Sequence, residues 1–352
     1  MDKYERPARN RSWLKWFLLF AVLIAVNFIQ LPYYFTVPGD AKTLNEVIEV
    51  EDGSEYEGSF MLTTIRMGQA NTVNYIWSFF SDERELLHEN EVRPEGESDE
   101  DYHHRQMMMM DGSQETAIVV AFNYTDIDAE FENHGVLVTQ IIEGMDAEEK
   151  LESGDRIIEI ENEEIINVEN MMSILADYEI GDEIALTLER GEDRDNSEEV
   201  SLDITIEEFP EEMAAGSGEG GLGIMYPVTD RELVTDRDIH IDSEDIGGPS
   251  AGLMFSLEIY NQLTEDDVTK GRHIAGTGSI SEYGEVGQIG GTHQKVYAAD
   301  NAGADAFFAP SGNGEAGSNY SIAVETAEKI GTDMDIVAID TFEDALDYLD
   351  SL

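Results

Sequence analysis

With 352 residues the chain has room for two or three domains, each able to bury its own core. Its 77 acidic against 20 basic residues leave a formal charge of -57, which argues against a nucleic-acid partner because no basic face exists to neutralise phosphates. The acids are spread over every segment after the N-terminus, a solvated surface suited to high salt and to a halophilic source, and the lack of cysteine excludes disulfides and thiolate metal sites.

From Trp16 to Phe35 there are twenty residues without a charge, close to the roughly 20 needed to cross a bilayer. Lys3, Arg6, Arg9, Arg11 and Lys15 precede them and aromatics flank both ends, so a single span with a cytoplasmic N-terminus is expected. Residues 1–35 would then be tail and anchor, and everything after them extracellular. No small-x-small exit follows the apolar stretch, which favours an uncleaved anchor over a signal peptide.

Residues 36–123 form an N-terminal segment. "GSFMLTTIRM" reads as a strand, and residues 81 to 115 read as a solvated loop leading to a helix at "ETAIVVAF". The run Met107 to Met110 reads as a packed helix face. His103 and His104 are adjacent, so on a strand they would point to opposite faces, and no metal site is expected.

Residues 124–209 have the pattern of one module. "GVLVTQII" and "RIIEI" are strand-like; Val168, Met171, Met172 and Leu175 fall at i, i+3, i+4, i+7 of a helix that Gly181 would stop. Ile184, Leu186 and Leu188, then Leu202, Ile204 and Ile206, alternate as in half-buried strands. This order, with Gly154-Asp155-Arg156-Ile157 at its centre, resembles a bacterial PDZ domain, a small β-barrel-like sheet with helices. The resemblance implies a peptide groove between the strand carrying His134, Gly135 and Val136 and the helix carrying Val168 and Met172. The glycine-rich stretch Ala214 to Gly223 reads as a linker.

Residues 210–352 alternate strands and helices. In "IGGPSAGLMF", Ser250 sits at a glycine-proline turn that runs into an apolar helix, where a hydroxyl is either a helix cap or a nucleophile. Gly248 to Gly252 also match G-x-S-x-G, but too little chain follows Ser250 for an α/β-hydrolase to supply its acid and histidine. A neutral lysine can serve as the base instead. Of the three lysines after Ser250, Lys295 opens a helix behind the turn "GQIGGTH", and the positive end of that helix with an apolar surround favours the uncharged amine.

"GGPSAGLMFSLEIY" followed by "GTGSISEYGEVGQIGGTHQKVYAADNAGADAFFAP" resembles the proteolytic domain of the Lon protease family. The resemblance implies Ser250 as nucleophile, Lys295 as general base and Thr277 as a hydrogen-bonding partner near the amine, with N–H groups at the start of the helix after Ser250 as oxyanion donors. Lon proteins usually carry an acidic residue two places before the proline of the serine loop; here Gly247 stands there. No G-x-x-x-x-G-K-[ST] motif is present, so no ATP-driven unfoldase is expected.

The expected architecture is therefore α+β: a transmembrane helix, a PDZ module and a Lon-type proteolytic domain, with the early strand of residues 36–123 a candidate member of the catalytic sheet. The expected function is an ATP-independent serine endopeptidase anchored in the cell membrane, needing no cofactor or metal. Its expected partners are peptide or protein substrates, the membrane and further copies of itself. A PDZ scaffold with an inactive protease-like domain is the alternative.

Overall fold

The computed structural model describes residues 13, 16–17, 20, 27–93, 97, 99–125, 127, 129–191, 196–210, 220–243 and 246–352. They form two compact units, Met1–Asp128 with Asp236–Leu352, and Ala129–Thr235. The second interrupts the first in sequence.

The N-terminal part begins with β1 (Gln30–Thr43), β2 (Ile48–Val50) and β3 (Ser59–Asn71), followed by helix α1 (Thr72–Ser78), β4 (Glu85–His88), the short α2 (Glu89–Val92) and the long α3 (Asp99–Asn123). Here the expected span fails. Gln30 to Phe35 are strand, and no helix among the described residues is long and apolar enough to cross a membrane. The remaining part of the stretch, at 18–19 and 21–26, lies outside the described residues. At the described end of the stretch Phe28 and Ile29 are exposed, whereas within the strand Tyr34 is buried, Tyr33 packs on Tyr75 and His88, and β1 pairs with both β3 and β4. A charge-free run enters a sheet as readily as a bilayer. The single-pass anchor, and the extracellular placement inferred from it, are not supported.

The stretch expected as a loop also differs. Residues 81 to 115 contain β4, α2 and the first half of α3, so His103 and His104 are helical. The methionine run straddles the helix, with Met110 buried and Met108 and Met109 exposed.

The inserted unit comprises β5 (Ala129–Leu137), β6 (Gln140–Ile141), α4 (Ala147–Lys150), β7 (Arg156–Ile160), β8 (Glu163–Glu164), α5 (Val168–Leu175), β9 (Glu183–Gly191), β10 (Ser197–Thr205), β11 (Glu207–Glu208), β12 (Gly220–Gly221), β13 (Ile224–Met225) and β14 (Val228–Thr235). Its main sheet has the order β10-β9-β7-β5-β14, with antiparallel neighbours. Ile184, Leu186 and Leu188 point inward from β9 onto Val136, Ile157 and Ile160, as the period of two requires. Asp155, almost fully buried, holds Arg190 through both carboxylate oxygens, at 2.7 Å each. Helix α5 ends at Leu175, and Gly181, with φ 100°, turns the chain beyond it.

The chain then returns through β15 (Ile239–Ile241), which pairs with β2, and α6 (Gly252–Leu263). Next come β16 (His273–Gly276), the β17 (Ser279–Ile280) and β18 (Val286–Gly287) pair, and α7 (Thr292–Ala302). β19 (Ala306–Pro310), α8 (Asn319–Ile330), β20 (Asp335–Ile339) and α9 (Phe342–Asp350) complete the unit. Its sheet has the order β20-β19-β16-β3-β1-β4. β3 lies parallel to β16, so strands from both ends of the chain share one sheet. Helix α6 is buried on nearly all sides, with ten of its twelve residues enclosed, as its apolar composition demands.

One of those ten is Glu258. Its Oε1 accepts from Gln262 Nε2 at 2.8 Å, whereas Oε2 has no hydrogen-bond partner among the described residues, and burial pushes the carboxyl up to about 7 against the lowering effect of Gln262 and the Phe60 backbone. A carboxyl raised in the folded state contributes most below its unfolded value, and that contribution is lost as pH rises through about 7. The shift from 4.5 to about 7 corresponds to about 3 kcal/mol, at about 1.36 per unit. Glu258→Gln is therefore expected to stabilise the protein above pH 7 and to lose that advantage below about pH 4.5. Denaturant melts of both proteins across pH check this; a difference that does not vary with pH would refute it.

Candidate active site

The serine loop crosses the inner end of a cleft. Gly248 takes φ 91°, a left-handed conformation that suits glycine, and Pro249 then presents Ser250. The N-cap of α6 is Ala251, and no side chain caps that helix. The hydroxyl of Ser250 is thus not a cap. It faces an amine.

Lys295 lies on the first turns of α7, whose N-cap Gly291 is left-handed at φ 74°. The side chain reaches inward until Nζ lies 2.7 Å from Ser250 Oγ and 2.8 Å from Thr277 Oγ1. Thr277, just past β16 and fully buried, donates its own hydroxyl proton to the Ser250 carbonyl at 3.0 Å. Its oxygen can therefore only accept from the amine. A neutral lysine has two N–H donors and one lone pair. With one N–H directed at Thr277, the lone pair is left for the Ser250 hydroxyl.

Burial favours the neutral form of the amine. Lys295 is 2% exposed, and burial pulls its pKa down from 10.5 to about 7. Desolvation penalises the ammonium, and the positive end of α7 acts in the same direction.

The lysine loop is fastened from a distance by Asn319 at the start of α8. Its side chain accepts from Ile289 N–H at 2.8 Å and donates to Ile289 O at 2.8 Å and to Thr292 Oγ1 at 2.7 Å. Sequence reading missed Asn319. A polar helix start 24 positions beyond Lys295 carries no local signal of such a role.

Of the expected oxyanion donors, two are already engaged: Gly252 N–H points at Pro249 O at 3.4 Å and Leu253 N–H donates to Gly278 O at 3.1 Å. Among the described residues the N–H groups of Ser250 and Ala251 have no partner. The cleft before them has a volume of about 930 Å³, with Leu62, Leu87, Val92, Tyr102 and Met110 on its walls and Glu85 and Glu91 at the same face.

The groove expected on the inserted unit is arranged differently. β5, which carries His134, Gly135 and Val136, pairs with β7 on one side and β14 on the other, so Val136 faces Ile157 and Thr229 across the two ladders. A strand with both edges paired there has no room for a peptide. An apolar groove of about 1050 Å³ does run along α5, but its far wall is Leu222, Ile224, Met225 and Tyr226. Of the five expected residues only Met172 lines it. Of the missed wall, Leu222 lies at the end of the stretch Ala214 to Gly223 read as a linker, and Ile224, Met225 and Tyr226 follow directly after it; glycines flanking the apolar pair Leu222 and Ile224 were the available signal.

Residues 226–349 match the Lon protease (S16) C-terminal proteolytic domain, and residues 112–206 match the PDZ domain. The chain therefore carries a serine-protease domain of the Lon type together with a PDZ domain. It is 36% identical over 92 residues to a Lon protease of Fusobacterium nucleatum, covering 25% of this chain and 12% of that protein. It is 37% identical over 100 residues to a Lon protease of Campylobacter concisus, covering 28% and 11%. The chain thus spans only about an eighth of the length of these curated relatives. The PDZ domain of an SdrC-like protein from Listeria monocytogenes is 21% identical with a TM-score of 0.22, covering 26% of this chain and 86% of that one.

Thr277→Val keeps the shape of the residue but removes both hydrogen bonds. If Thr277 orients the amine, kcat toward a short peptide should fall on the order of tenfold or more, with KM little changed. A rise in KM alone would count against that role.

Proposed function

We propose that the chain is a serine endopeptidase whose nucleophile is Ser250 and whose general base is Lys295. The 2.7 Å approach of a buried amine to the serine hydroxyl carries this reading. Ser250 Oγ attacks the scissile carbonyl carbon as Lys295 Nζ takes the hydroxyl proton. The oxyanion is met by the N–H groups of Ser250 and Ala251. As the tetrahedral intermediate collapses, the ammonium returns the proton to the departing amine and an ester to Ser250 remains. Water, deprotonated by the same amine, then hydrolyses the ester and regenerates both groups.

Substrates are peptides or loosely folded proteins whose backbone can extend through the cleft. The sequence contains no phosphate loop, so ATP should leave peptide cleavage by this chain unchanged. The apolar groove beside α5 suits the apolar end of a peptide, which gives the PDZ domain a role in choosing substrates.

With the lysine pulled down to about 7, activity should rise with pH along one limb centred near that value, because the free amine exists above it. Lys295→Arg keeps a cation that does not deprotonate and should abolish turnover at every pH; Ser250→Ala should do the same. His273→Gln, remote from the dyad, should retain the limb. Peptidase assays across pH at high salt decide the matter: full activity in Lys295→Arg would remove the dyad, and an unchanged set of cleaved proteins in cells carrying Ser250→Ala would favour a scaffold.

A further inference from the structure

We propose that α3 sets the geometry of the nucleophile, with Ser113 and Gln106 as positioning residues for Ser250. The proposal rests on Ser250 being the nucleophile. It starts from Gly247 in the serine loop.

Nothing in the backbone demands a glycine there, since Gly247 is not among the residues with positive φ. Space does. A Cβ on Gly247 would lie 2.8 Å from Gln106 Cβ and 3.2 Å from Gln106 carbonyl carbon. The serine loop lies directly against α3, and the missing side chain is what lets the helix in.

Once in contact, α3 grips the loop at successive points. Gly248 N–H donates to Gln106 O at 2.7 Å, and Ser113 Oγ donates to Pro249 O at 3.1 Å. Gln114 Nε2 donates to Ser243 Oγ at 2.9 Å, holding the approach to the loop. Residues 106, 110 and 113 fall on one helical face, and Gln106 and Met110 on it also line the cleft.

The Ser113 bond has a specific chemical consequence. Pro249 C=O and Ser250 N–H belong to one planar peptide and point in opposite directions. A hydroxyl that holds the carbonyl therefore holds the direction of the N–H, one of the two proposed oxyanion donors. The N–H of this plane is left for the oxyanion, so the plane is held from the carbonyl side, where Gly252 N–H also approaches Pro249 O at 3.4 Å. Ser113 acts on the transition state through the peptide plane, without touching the substrate.

The test uses the full chain and a peptide boronic acid, which forms a tetrahedral adduct on a reactive serine, beside a short peptide substrate. Ser113→Ala should lower kcat about tenfold with KM within about twofold, and weaken boronate binding by a similar factor, all per folded molecule. Gly247→Ala should do likewise by pushing α3 away, and Gln106→Gly in the same chain should recover part of the loss, so that the two changes are not additive. Unaltered kcat and boronate affinity in Ser113→Ala, whatever its melting temperature, would overturn the proposal and leave α3 as packing. Should Gly247→Ala fail to fold, Ser113→Ala alone decides. A wild-type protein that neither binds the boronate nor cleaves would instead sink the nucleophile reading itself.

Discussion

An amine that burial pulls toward its uncharged form, beside a hydroxyl, is the constraint on which the protease unit turns. Lysine carries its proton in water up to about 10.4, so a basic lysine at neutral pH exists only where folding denies it solvent. The unit provides that denial with one buried helix start, one buried threonine and a loop clamped by Asn319. The work of folding is directed at a site that opposes stability. A buried amine with a depressed pKa disfavours folding relative to high pH, and the loss deepens as pH falls toward about 7.

The chain builds this pocket from distant pieces. β3, from the N-terminal part, lies parallel to β16, at whose end Thr277 sits; α3 meets the serine loop; α7 brings the lysine. Between α3 and the serine loop the sequence inserts the whole unit Ala129–Thr235. Connectivity alone therefore leads out of the serine-loop brace and back into the serine loop, with β15 intervening. An insertion at such a point is tolerated because both flanking segments are held in the protease unit by their own contacts, β15 on β2 and α3 on the loop.

The proposed nucleophile and base were legible as candidates because their signals are local. A serine at a Gly-Pro turn and a lysine at a helix start each stand out within a few positions, whereas Thr277 was marked only by the resemblance of "GTGS" to the Lon family. What could not be read is everything that depends on pairing. The apolar run ending at Phe35 has the composition of a span, and only the ladder to β3 and β4 reveals its last six residues, Gln30 to Phe35, as strand. Likewise β5 has the alternation of an accessible strand, but its two neighbours close both edges. The stretch ending at Gly223 has the composition of a linker, yet its Leu222 walls the groove together with Ile224 and Met225, which pair with β6 just beyond it. Gln106 and Ser113 are invisible from sequence for the same reason, since their roles lie wholly in what α3 touches.

The overall charge sharpens the demand on burial. A chain of net charge -57 surrounds itself with a negative potential that favours every proton, including the one Lys295 must lack. Yet the lysine is pulled down by burial, and the two side chains hydrogen-bonded to its amine are the hydroxyls of Ser250 and Thr277. Uncharged partners are the arrangement that works here, because a carboxylate at the same distance would draw the amine back to its charged form. The acids on the surface act from further away and through water, where salt shortens their reach to about 3 Å at 1 M. A protein this acidic can therefore keep a neutral lysine if its surface is bathed in salt and its dyad is lined by hydroxyls alone.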